Sequence, residues 1–122
     1  VSSIQFLAMG HGWEAWKTMP HERQRLIDLI DTSSSDSVLF ISGDRHRGGL
    51  YQLSSSSGKN IVEMTSSSLN LSFTNDEEAG PLRVGPTFVQ ENYGEILLNK
   101  LTNKLTVNLK DNQGNIVQSV DL

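Results

Sequence analysis

The sequence predicts an α/β fold, with one helix flanking β-structure and the chain closing in a three-stranded antiparallel meander. Three observations predict this. Residues 20–31, "PHERQRLIDLID", place Arg23, Leu26, Ile27 and Ile30 on one side at spacings of three and four. Residues 38–42, "VLFIS", form an unbroken apolar run, as in a strand covered on both faces. The last thirty residues alternate in three short runs separated by turn residues.

From the N-terminus, "VSSIQFLA" reads as a first strand, with Ile4 and Phe6 alternating against Ser3 and Gln5. It opens without Met and already inside an apparent strand, which predicts either a removed leader or a chain cut from something longer. "MGHGWEAWKTM" breaks it, and its two Trp call for burial. The helix begins at Pro20, whose fixed φ suits a first helical position. Glu22 favours the positive N-terminal end. "TSSSDS" stops it, because hydroxyl side chains compete for backbone bonds. The run "VLFIS" is expected in the middle of a sheet. "GLYQLS" and "NIVEMTSS" follow as a hairpin with "SSSSGK" at its tip. Residues 69–90 show no clear period, and Asp76, Glu77, Glu78, Gly80 and Pro81 mark a long loop. "YGEILLNK", "KLTVNLK" and "NIVQSVDL" are the meander, with Leu105, Val107 and Leu109 on one face and Thr106 and Asn108 on the other.

The 122 residues suit one domain, 1–122, with room for a modest core. A net charge of -4 without a basic block argues against a nucleic-acid groove or an anionic membrane surface. No apolar run approaches the length of a membrane span. The absence of Cys removes disulfides, thiolate metal sites and thiol nucleophiles.

The chemistry-bearing stretch is "SGDRHRGG", residues 42–49, directly after the most apolar run. Asp44 and His46 are two apart. In extended backbone such side chains point the same way, so a carboxylate and an imidazole can converge on one cation. That donor pair suits Zn, Fe or Mn better than Ca or Mg. Polar loop residues without a ligand are the bland alternative, and a metal site needs more donors than two. Extended geometry turns Arg45 and Arg47 the other way, to solvent or a salt bridge, unless a bend sets one on a phosphate. His11, in a Gly-flanked loop after the first run, is either structural or faces the same edge. His21, in the first helical turn, is read as solvated.

"SSIQFL", "HGWEAW" with "PHERQRLIDLI", "VLFISGDRHRGGLYQL", "EMTSSSLN", "RVGPTFVQENYG" and "LTVNLKDNQGNIV" occur in an order that resembles the C-terminal part of the PhoD-like, or alkaline phosphatase D, family of calcineurin-like metallophosphoesterases. The resemblance covers nearly all 122 residues. It implies the C-terminal part of a metallophosphoesterase-type β-sandwich with a flanking helix. It also implies a two-metal site, with Zn, Fe, Mn or Ca as candidate ions, that hydrolyses phosphate mono- or diesters. Asp44 and His46 match late metal ligands, and His11 matches a recurring His carried over as a catalytic-site candidate. Arg45 and Arg47 are the substrate-binding candidates beside them.

The family's earlier metal motifs do not occur in this chain. The isolated chain is therefore expected to be inactive and to need the N-terminal half of the domain as partner. Its exposed edge strands would allow a homo-oligomer. Export to the periplasm or outside the cell is implied by the resemblance alone. The competing class is a non-catalytic β-rich binding or structural module, in which the meander does the work.

Overall fold

A computed structural model describes residues 1–75, 77 and 79–122; Asp76 and Glu78, two of the expected loop markers, lie outside the described residues. The fold is mixed α/β, mostly sheet, with helix α1 (Pro20–Thr32) and strands β1 (Ser37–Ser42), β2 (Gly48–Ser54), β3 (Asn60–Ser66), β4 (Arg83–Phe88), β5 (Asn92–Asn99), β6 (Lys104–Asp111) and β7 (Ile116–Asp121). β1 to β4 form one sheet in the order β1-β3-β2-β4. β5-β6-β7 is the expected meander. β1 runs parallel to β3, whereas β2 is antiparallel to both β3 and β4.

Alternation along β2 and β3 builds two cores. Tyr51 and Ile61 face one side, with Phe6, Leu7, Ile27 and Ile30. Leu50 and Met64 face the other, with Val107 of β6. The first sheet is therefore a middle layer, covered by α1 and the N-terminal segment on one face and by the meander on the other. At Gly94 the layers approach closely: a Cβ there would collide with the Met64 side chain. On the helical side, Phe6 stacks on Phe40 at 4.2 Å between centroids and meets Trp16 edge-on at 5.3 Å. Trp13 departs from the expected burial and is exposed.

Three expectations about elements are corrected. Residues 1–8 are not a strand. Gln5, Phe6, Leu7 and Ala8 are buried in succession, which the two-sided alternation of a strand would not allow. Their backbone is held by side chains instead. The Glu63 carboxylate accepts the N–H of Phe6 at 2.8 Å and of Leu7 at 2.6 Å, and Arg23 Nε donates to the Phe6 carbonyl at 2.8 Å. The apolar run of β1 sits at a sheet edge, half-buried, rather than in the middle. Its two faces are covered as expected, but among the described residues one backbone edge is met only by Ser2, whose N–H donates to the Ile41 carbonyl. The stretch 69–90 contains strand β4, whose period is hidden by Gly85 and Pro86.

Glu63 is fully buried, and burial pushes its carboxyl up, against hydrogen bonds from Ser42, Phe6 and Leu7 that pull it down. Glu63→Ala leaves two buried amides without an acceptor, at about 1–3 kcal/mol each. Urea unfolding is expected to show a loss of about 3 kcal/mol; a loss under about 0.5 kcal/mol would mean the N-terminal segment is held by its apolar contacts alone.

Candidate functional site

Five residues, 43–47, link β1 to β2, and they cross the end of β3 to do so, because β3 lies between those strands. The crossing spans two inter-strand spacings, about 10 Å. Ser67, just beyond β3, donates both its N–H and its hydroxyl to the Arg47 carbonyl, each at 3.3 Å. The turn thus sits over the carboxyl ends of β1 and β3, where ligand sites gather in open α/β sheets.

The turn is not extended. Asp44 has φ 71° and His46 φ 51°, left-handed values that non-glycine residues adopt at a cost. The expected geometry, with alternating side chains leaving an extended strand, is corrected accordingly. Asp44 is exposed and His46 half-buried, while Arg45 and Arg47 turn inward and are 6% and 2% exposed.

Both arginines end on one carboxylate. Arg45 Nη2 lies 2.8 Å from Glu77 Oε1, and Arg47 Nη1 lies 3.0 Å from Glu77 Oε2. Arg47 also donates to the Asn75 carbonyl at 3.2 Å and to its side-chain oxygen at 3.3 Å. Of the readings left open for this pair, the salt bridge is what the structure contains. The Arg45 guanidinium lies 5.8 Å from the Trp13 ring centroid.

His11 lies behind this cluster. Its Nε2 is 2.8 Å from Gln5 Oε1 and 3.9 Å from Glu77 Oε1, and its Nδ1 accepts the Trp13 N–H at 3.2 Å. An accepting Nδ1 makes Nε2 the protonated nitrogen of a neutral ring. Gln5 Nε2 then donates to Tyr51 Oη at 3.0 Å and Thr65 Oγ1 at 2.8 Å. The network joins the N-terminal segment to β2, β3 and the turn, and it occupies both His11 nitrogens. Burial and the Arg45 charge lower the His11 pKa to about 4, with Glu77 opposing.

His46 is held differently. Its ring stacks on Phe73 at 4.3 Å, and its Nδ1 lies 3.1 Å from the Leu71 carbonyl oxygen. A carbonyl only accepts, so Nδ1 carries a proton, and in the neutral ring Nε2 is the nitrogen with the lone pair. Among the described residues, Nε2 makes no hydrogen bond. This backbone-anchored tautomer is how metal-binding imidazoles are commonly oriented. Among the described residues, no group of three or more His, Asp or Glu side chains converges as a cation cage. His21 is exposed on the first turn of α1.

Sequence reasoning missed Glu77, Gln5 and Thr65 as members of this cluster. No local signal marked the first: Leu71, Phe73, Asn75 and Glu77 each touch the turn, but they lie in a stretch without a clear period. No protein-family model, curated protein or solved structure matches this chain.

The His11 titration has a definite sign. Its folded pKa of about 4 lies below the ordinary 6.5, so between these values the unfolded chain binds more protons. This contribution is complete above pH 6.5 and fades as pH falls toward 4. The stability gap between wild type and His11→Gln is therefore expected to narrow on acidification, as read by denaturant unfolding across that window. A gap independent of pH would place a normal, solvated imidazole at this position.

Proposed function

We propose that this chain contributes one part of a metal-dependent phosphoric-ester hydrolase of the PhoD-like kind, with Asp44 and His46 as late ligands of a dinuclear centre. The supporting observation is the division of labour in the 43–47 turn. Two arginines are engaged by Glu77, whereas the Asp44 carboxylate is exposed and His46 is anchored through Nδ1, with no partner for Nε2 among the described residues. A bound cation pair would supply polarisation of the phosphoryl oxygens and an acidified water. The roles of this chain are to hold His46 through Leu71 and Phe73 and to keep the turn rigid through Glu77. Arg45 and Arg47 act on substrate only through that rigidity, since their guanidinium groups face inward.

Two donors fall short of the three or more protein ligands that such ions take. The remaining ligands come, in this reading, from polypeptide outside these 122 residues, and the chain alone has no turnover. A non-catalytic β-rich module is the second reading. It is favoured by the full engagement of His11, both of whose ring nitrogens are hydrogen-bonded.

Mn(II) tests the assignment on the chain as it stands. Paramagnetic broadening of backbone amide resonances is expected at Asp44 and His46 first and to disappear in His46→Ala, without hydrolysis of bis-p-nitrophenyl phosphate. Broadening centred elsewhere, or none, would leave the second reading standing.

A further inference from the structure

The His46 ring is set by a segment with little packing of its own. Leu69, Leu71 and Phe73 are 79%, 53% and 45% exposed. Apolar burial therefore does little to fix the peptide plane whose carbonyl meets His46 Nδ1 at 3.1 Å. Polar contacts fix it instead. Ser68 Oγ donates to that same Leu71 carbonyl at 3.0 Å. A carbonyl oxygen has two lone pairs, so one serves Ser68 and the other serves His46.

Ser68 is the rigid end of this arrangement. It is fully buried. Its own carbonyl accepts the Asn92 N–H at 2.8 Å, which ties it to the start of β5. Ser67 beside it donates to the Arg47 carbonyl, at the other end of the turn from Asp44. With the Ser68 proton on Leu71, the neighbouring Ser72 hydroxyl donates to Ser68 Oγ. The Phe73 N–H then closes the segment onto the His46 carbonyl at 2.9 Å.

We propose that Ser68 is a positioning residue for His46: its hydroxyl aims the Leu71 carbonyl, which keeps the imidazole proton on Nδ1 and leaves the lone pair on Nε2. The proposal deepens the hydrolase reading and rests on it only for what Nε2 would bind. The hydrogen bond at one ring nitrogen decides which nitrogen is free to ligate. Without the hydroxyl, the exposed peptide plane turns toward solvent, and the ring loses the acceptor that distinguishes its two nitrogens.

Long-range proton–nitrogen correlation spectra of the imidazole rings, taken without metal at about pH 8.5, read the proton position on neutral rings. The three His calibrate one another. His11 accepts at Nδ1 and so carries its proton on Nε2, and His21 is exposed and unrestrained. The wild type is expected to show His46 with its proton on Nδ1. In Ser68→Ala the Nδ1 resonance is expected to move downfield, toward the averaged position of His21, while His11 stays unchanged. Ser72→Ala keeps the Ser68 hydroxyl and is expected to leave His46 as in the wild type. An averaged or Nε2-protonated His46 in the wild type, a Ser68→Ala protein that keeps the Nδ1 proton, a simultaneous change at His11, or an equal loss in Ser72→Ala would each overturn the role given to Ser68. Whether a cation binds is decided separately, by the Mn(II) experiment.

Discussion

The Glu77 carboxylate is the constraint on which the candidate site depends. Burying an ion costs several kcal/mol even after relaxation, so Arg45 and Arg47 turn inward only because an opposite charge meets them both. Removing one member of such a buried group typically costs about 3–5 kcal/mol, of the same order as the roughly 2–6 kcal/mol that left-handed backbone at two residues costs. The pairing therefore offsets the positive φ at Asp44 and His46. The chain gives up local backbone preference to bring two guanidinium groups to one acceptor, and the residues between them are thrown outward.

A second buried carboxylate does comparable work beneath the N-terminal segment. Glu63 replaces strand pairing in this segment by accepting the amides of Phe6 and Leu7 directly, within a stretch whose side chains from Gln5 to Ala8 are all buried. Gln5, fixed in that segment, reaches Tyr51, Thr65 and His11. His11 in turn approaches Glu77. The N-terminal segment, the middle sheet and the 43–47 turn are thus tied through polar groups that are almost all buried, where a satisfied network rigidifies and a broken one is costly.

What was legible in the sequence follows from the range of the interactions involved. Helix α1 and the meander carry their own periodicity, so Ile27, Ile30, Val107 and Leu109 could be placed from neighbours alone. The hairpin of β2 and β3 announced itself through "SSSSGK". The edge position of β1 was hidden, because an apolar run reports covered faces and says nothing of which backbone edge has a neighbour. The N-terminal segment was misread because its apparent alternation, Ile4 and Phe6 against Ser3 and Gln5, conceals a Gln that is itself buried. At the site, Asp44, Arg45, His46 and Arg47 could be singled out by type. Their directions depended on Glu77, thirty residues away in a stretch without a strong period. Long-range charge pairing is invisible to local pattern, and here it reverses which of the four residues face inward.

The most direct measurement is backbone conformation at the turn by NMR, in wild type and in Glu77→Gln. Left-handed residues give strong intraresidue amide–α proton cross-relaxation, which should be present at Asp44 and His46 in the wild type and weaken at both in the variant as the turn relaxes toward extended backbone. A folded Glu77→Gln protein that keeps the left-handed signature at both positions would show that the turn holds its shape without the carboxylate, and the dependence drawn from Glu77 to Asp44 and His46 would be wrong.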